Sequence, residues 1–185
     1  MLYFYFFSFF IVSQEVNQRY IDLARRAADD LKRGLLQVLL EEIGKGGYQN
    51  AISVCSDMAQ EITKKYYQEK YNLYIRRVSE KPRNKLNSPD QYELEILKKL
   101  DKMNKDGKLP KEYFELVKEG ERKYLRYFSP IVIQPMCLPC HGEEKLLSDE
   151  IKSFLKRRYP EDKAIGYREG DFRGAVSIKI ELKEE

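Results

Sequence analysis

The chain has 185 residues, 42% hydrophobic and 35% charged, enough for one domain with a real core; this excludes a large multidomain enzyme and a disordered chain. Its 34 Lys and Arg against 30 Asp and Glu leave a formal net charge of +4. The two signs are interleaved, so no nucleic-acid partner is expected.

Met1 to Val12 form an almost unbroken aromatic and aliphatic run, with Ser13 the first small polar residue where cleavage could fall. About 12 apolar residues reach only about 18 Å as a helix, short of the roughly 30 Å of a hydrocarbon core. Residues 1–13 therefore read as a secretory signal segment cleaved near Ser13. That leaves 14–185 as a single domain in the periplasm or another exported location.

From Val16 to Ile43, apolar residues at Val16, Tyr20, Leu23, Ala27, Leu31, Leu35, Val38 and Leu39 keep one face apolar and predict a long amphipathic helix. Gly44, Gly46 and Gly47 stop it, and a second helical pattern runs through Ala51, Cys55, Met58, Ile62 and Tyr66. Alternation at Tyr71, Leu73 and Ile75 predicts a strand between Lys70 and Ser79, followed by a loop from Pro82 to Asn87. Ser88 as N-cap, Pro89 at the first position and Gln91 at the third predict a helix from Pro89 to about Met103, ended by Asp106-Gly107. Tyr113 to Ile133 reads as a hairpin turning at Gly120. Ser148 caps a short helix carrying Ile151, Phe154 and Leu155, which Pro160 stops. Val176, Ile178, Ile180 and Leu182 alternate with Ser177, Lys179 and Glu181, the pattern of a half-buried antiparallel strand. Lys102 to Tyr113 superficially looks like a calcium loop, but positions one and twelve hold no carboxylate.

The chemistry concentrates in Cys137-Leu138-Pro139-Cys140-His141. This is the spacing for covalent haem c attachment: two thiols add to the vinyl groups and the adjacent imidazole becomes an axial ligand. A thioredoxin-like pair would need alternating parallel strands and crossover helices, which the pattern lacks. A zinc site from Cys55, Cys137, Cys140 and His141 would force adjacent residues 140 and 141 into one tetrahedron. A disulfide between Cys137 and Cys140 leaves His141, the only histidine, without a reason. The reading is one covalently attached haem per chain. For the sixth ligand, spacing leaves Cys55 and Met58 open, ahead of Met103, Met136 and an empty position.

Three stretches carry a resemblance: Tyr124 to Gly142, Arg158 to Tyr167 and Glu169 to Val176, joined upstream by Arg77-Val78-Ser79, Lys81-Pro82-Arg83-Asn84 and Asn87-Ser88-Pro89. Together they resemble the haem c domain catalogued as domain of unknown function family 3365, the Tll-type haem domain. The resemblance implies an α+β, PAS-like fold, an antiparallel sheet flanked by helices, here with a long N-terminal helix. It implies haem held by Cys137 and Cys140, with His141 and Cys55 as the iron ligands. Arg83, Tyr167 and Arg173 are candidates for contacting the haem propionates, since guanidinium and phenol groups bind carboxylates.

A thiolate ligand favours ferric iron and a low potential, which suits a sensor. The expected function is an exported monohaem cytochrome sensing redox state or a small diatomic gas; the alternative is a periplasmic electron carrier. With the sole histidine bound to iron, no distal imidazole acid or base remains, and no enzymatic activity is expected. No output domain follows Glu185, so a separate signalling or redox partner protein is expected.

Overall fold

The computed structural model describes the backbone of residues 4–183 and the side chains of residues 18–183 other than 55–57 and 65–67. The side chain of Cys55 lies outside the described residues, as does the expected signal segment beyond the helical backbone of residues 4–13. No helix among the described residues is long and apolar enough to cross a membrane.

Helix α1 (Phe4–Ile62) is two helices meeting at a kink: Gly46 has φ −156° and ψ 24°, and Gly47 has φ 70° and ψ −169°. The glycine stop expected from sequence is therefore a break in the helical path, with helix on both sides. The second limb runs on through a π-helical stretch, Thr63–Gln68, and a final turn α2 (Glu69–Tyr71). Asn72 then takes a left-handed conformation, and β1 (Tyr74–Val78) begins. Tyr71 thus belongs to the helix and not to the strand. Its phenol donates to Asp30 on the first limb, which also accepts from Lys70 Nζ at 2.9 Å and Arg33 at 2.6 Å.

Helix α3 (Gln91–Lys105) starts later than Ser88-Pro89 suggests. Asp90 is the N-cap, accepting from Glu93 N at 2.7 Å, while the Glu93 carboxylate accepts from Asp90 N at 3.0 Å. This reciprocal box satisfies two orphan donors and outcompetes a lone serine cap. The hairpin forms as expected, β2 (Tyr113–Glu119) against β3 (Arg122–Val132), with Glu119 opposite Arg122 around Gly120. After β3 come α4 (Leu138–His141), α5 (Asp149–Arg158) with Ser148 accepting from Ile151 N, and β4 (Phe172–Leu182).

The four strands form one antiparallel sheet in the order β1-β4-β3-β2. The first limb of α1 covers one face: Ile21, Ala24, Ala27, Ala28 and Leu31 pack on Ile75, Leu125, Tyr127, Val176, Ile178 and Ile180. Three alanines at the centre of the stripe let helix and sheet approach closely, with Tyr20, Leu23 and Leu35 at its flanks. Each fully buried Ile or Leu here contributes about 1.5–3 kcal/mol by leaving water. Tyr127 is buried in this layer and donates to Glu112 Oε2 at 2.8 Å; Arg25 holds the same carboxylate at 2.7 and 2.6 Å. Burial, then the bond to Glu112, pushes the Tyr127 phenol well above its ordinary range.

Helix α3 covers the other face, with Ile96, Leu97 and Leu100 against Val78, Phe128 and Ala175. The alternation in β4 predicts a solvated face at Ser177, yet Ser177 is buried. Strand β4 is central and both its faces are covered at mid-length, an arrangement the period of two does not distinguish from a half-exposed strand.

The Asp30 cluster yields a pH prediction. Hydrogen bonds from Tyr71 first, then Lys70 and Arg33, hold the Asp30 carboxyl below its ordinary value. A depressed folded value contributes stability that is complete above the unfolded carboxylate value, about 4, and is lost as pH falls through the folded one. Urea unfolding should show wild-type stability declining below about pH 4, with a shallower decline in Asp30→Asn. Equal slopes in the two proteins would contradict this.

Candidate functional site

Antiparallel pairing of β1, β4 and β3 brings three chain segments to one end of the sheet: the exit from β1 at Ser79–Arg83, the exit from β3 at Ile133–His141, and the approach to β4 at Asp162–Asp171. Backbone bonds stitch them together. Ile133 N–H donates to Asp171 O at 2.9 Å and Gly170 N–H returns to Ile133 O at 3.0 Å. Tyr167 N–H donates to His141 O at 3.0 Å, Gly166 N–H to Gly142 O at 2.8 Å, and Lys163 N–H to Pro82 O at 3.3 Å.

The segment Pro135–Cys137 is a 3-10 turn that runs directly into α4, so Cys137, Cys140 and His141 lie on consecutive helical turns. Both cysteines are half-buried and are thiols, not joined in a disulfide. Cys140 packs against Ile52, Leu147, Ile151 and Leu155, and Cys137 against Ile133, Ala164 and Tyr167. Among the described residues no three His, Cys, Asp or Glu side chains converge as a metal cluster.

His141 Nδ1 lies 2.7 Å from Ala164 O. A carbonyl only accepts, so Nδ1 carries the proton and Nε2 keeps the lone pair. Burial first, then the charges of Arg83 and Arg173, push the imidazolium well below the ordinary histidine range. His141 is half-buried and lines a cavity. Its neutral Nε2 is the form that ligates a metal.

Arg83 joins all three segments. Its Nε donates to Asp162 Oδ2 at 3.0 Å, and one terminal nitrogen donates to Cys140 O at 2.5 Å and to Ala164 O at 3.3 Å. Arg173 Nη1 donates to Ser79 Oγ at 2.6 Å and to Lys81 O at 3.1 Å, and Ser79 Oγ donates to Arg173 O at 2.7 Å. Burial lowers the Arg173 guanidinium from its ordinary value. Tyr167 is buried, edge-on to His141 with ring centres 6.3 Å apart. Arg173 and Lys81 lie over its ring at 5.5 and 5.1 Å.

Among the described residues, cavities lie on both sides of α4. One, about 150 Å³, is lined by His141, Arg77, Arg83, Arg173, Tyr159 and, from the second limb of α1, Ile52, Ala59 and Gln60. The other, about 550 Å³, lies against Leu138, Pro139 and Gly142, with Tyr48, Ile151 and Tyr167. Although smaller, the first holds the imidazole and three guanidinium groups and is where chemistry can occur. Ile52 and Ala59 stand three residues before and four after position 55, so position 55 shares their helix face by register. Met58 is 44% exposed and does not line this cavity. Met103 packs with the α3 layer on the far face of the sheet.

The sequence-predicted residues Cys137, Cys140, His141, Arg83, Tyr167 and Arg173 thus come together at one end of the sheet. Asp162, Ser79 and the Ala164 carbonyl join them; no sequence periodicity marks a loop carboxylate or a backbone acceptor. Asp162 and Ala164 do fall within the stretch Arg158 to Tyr167.

An α+β domain of this topology with an attachment-type motif at the end of β3 is a recognisable class. A family model described as Tll0287-like matches residues 11–181, and the chain belongs to that family. The fold is similar to that in the crystal structure of the cyanobacterial heme-protein Tll0287, with a TM-score of 0.57 over 84% of this chain and 93% of that one at 23% sequence identity. No curated protein sequence matches the chain.

Gly174 links strand pairing to this site. Its φ of +145° disfavours a side chain, and a Cβ there would lie 2.2 Å from Val78 O and 3.1 Å from Ser79 Cβ. Gly174→Ala must therefore part β1 from β4 beside Ser79 and shift the Arg173 anchor. The expected loss is about 2–4 kcal/mol by strain and overpacking, read by urea unfolding. A loss below 1 kcal/mol would show that the strands part without consequence.

Proposed function

We propose that the chain is an exported monohaem c-type protein that senses redox state or a small diatomic gas. What carries the reading is the donor set at one sheet end: two thiols on consecutive turns beside a neutral imidazole whose Nε2 retains its lone pair. The cradle suits the group chemically, because guanidinium groups line the cavity with His141, and those of Arg77 and Arg173 could pair with propionates. The cyanobacterial relative is itself described as a heme-protein.

When bound, the haem supplies a one-electron couple and an exchangeable coordination position. Cys137 and Cys140 would hold it covalently, one group per chain, and His141 would offer its Nε2 lone pair as a ligand while the Ala164 carbonyl fixes the ring through Nδ1. Cys55, on the second limb of α1, would be the second ligand, as the family resemblance implies. A ferric charge would stabilise a thiolate there, and the proton that the thiol takes up in its absence would make the position exchangeable for a diatomic ligand. A signalling partner or redox partner protein would read the change.

Expression with haem-attachment machinery should give one haem mass adduct that survives denaturation and is lost in Cys137→Ser/Cys140→Ser. His141→Ala should abolish the low-spin spectrum, and Cys55→Ala should change the ferric spectrum while Met58→Ala leaves it intact. A protein without the adduct overturns the haem reading. Retention of both ligands on reduction, with no carbon monoxide bound, would favour the electron carrier.

A further inference from the structure

Arg83 reaches protein groups on both sides of His141. Its guanidinium donates to Cys140 O, the carbonyl next to the imidazole residue in the chain, and to Ala164 O, the same oxygen that accepts the His141 Nδ1 proton. Asp162 holds Arg83 Nε at 3.0 Å and accepts from Ala164 N–H at 2.8 Å, so the Ala164 peptide is fixed at both its donor and its acceptor. Both members of the pair are largely buried, with 12% and 8% of the side chains exposed.

We propose that Arg83 and Asp162 are positioning residues that set the orientation and electron donation of the His141 imidazole through the shared Ala164 carbonyl. This rests on the haem reading above and assigns Arg83 a role other than holding a propionate.

The physical basis is competition and charge. A carbonyl oxygen has two lone pairs, and a cationic donor on one weakens the oxygen as acceptor for the other. Arg83 therefore limits how far Ala164 O draws the Nδ1 proton, and so limits the anionic character of the ring. Its charge, placed beside the ligand, also disfavours the oxidised metal. Asp162 opposes that charge in a poorly solvated setting, where neither is screened well. Loss of Arg83 makes His141 a stronger donor and removes a cation, and both effects favour the oxidised state. Loss of the Asp162 charge leaves the cation uncompensated and favours the reduced state.

The test is the reduction potential of the haem-loaded protein, with the ferric spectrum, in Arg83→Gln, Arg83→Lys and Asp162→Asn. The potential should fall in Arg83→Gln, rise in Asp162→Asn and move least in Arg83→Lys, which keeps the charge. A purely structural role loosens the same loops in both neutralising variants; shifts of the same sign, or none, would overturn the proposal. A wild-type protein that takes up no haem defeats the earlier reading and not this one. The haem-free chain then serves: the ¹⁵N shifts of the His141 ring report the tautomer, and water exchange of its Nδ1 proton should slow severalfold in Arg83→Gln, because Ala164 O, freed of the cationic donor, accepts that proton more strongly. Unchanged exchange, or the faster exchange of a merely loosened loop, would overturn the proposal there too. Where Arg83→Gln fails to fold, the sign of the Asp162→Asn shift decides alone.

Discussion

Strand β4 pairs with β1 on one side and β3 on the other, and the antiparallel sense of both pairings decides what can meet at the end of the sheet. Two strands must end there and one must begin. The exits carry Ser79–Arg83 and the attachment-type turn, and the approach to β4 carries Asp162 to Tyr167. Parallel pairing would send one of these to the opposite end, some five residues of strand away. The chemistry at His141 thus depends on hydrogen bonds made far from it, in the middle of the sheet.

The tolerance of that arrangement is narrow at Gly174. Val78 O lies where a side chain would stand, and Ser79, the next residue, holds Arg173 from both its backbone and its guanidinium. Beyond the bulge between Ile131 and Val132, β3 leaves the sheet and turns into Pro135. A bulge re-aims a strand at the cost of local pairing, and here it aims the chain toward the site. Charge adds a second constraint: Arg83 and Arg173 face a buried imidazole, and the ring stays neutral because burial and both guanidinium groups act in the same direction.

Much of this was written in local sequence. The alternation of Val176, Ile178 and Ile180 marked a strand, the Gly120 hairpin and the Ser148 cap formed as expected, and the motif at Cys137 to His141 needed no fold to be noticed. The misreadings share a cause: each involved a neighbour remote in sequence or a competing local bond. Ser177 is buried because α3 lies over it. Tyr71 stays helical because Asp30, 41 residues earlier, receives its phenol. Asp90 displaces Ser88 as cap because Glu93 answers it. Asp162 lay inside a stretch that carried the family resemblance, but its role exists only once Arg83 and Ala164 are beside it.

The kink at Gly46 and Gly47 bears on the wall opposite the imidazole. In an unbroken helix every side chain has its angular phase fixed by the residues before it, so a limb packed on a sheet would dictate the facing of a distant limb. Here the glycine pair resets the phase at one end, and the π-helical stretch Thr63–Gln68 resets it at the other. The cavity-facing residues Ile52, Ala59 and Gln60 lie between these two resets. Their rotational setting is consequently independent of the stripe of alanines that seats the first limb. The first limb can be selected for its fit to the sheet and the second for its fit to the site, in two helices joined directly at the kink.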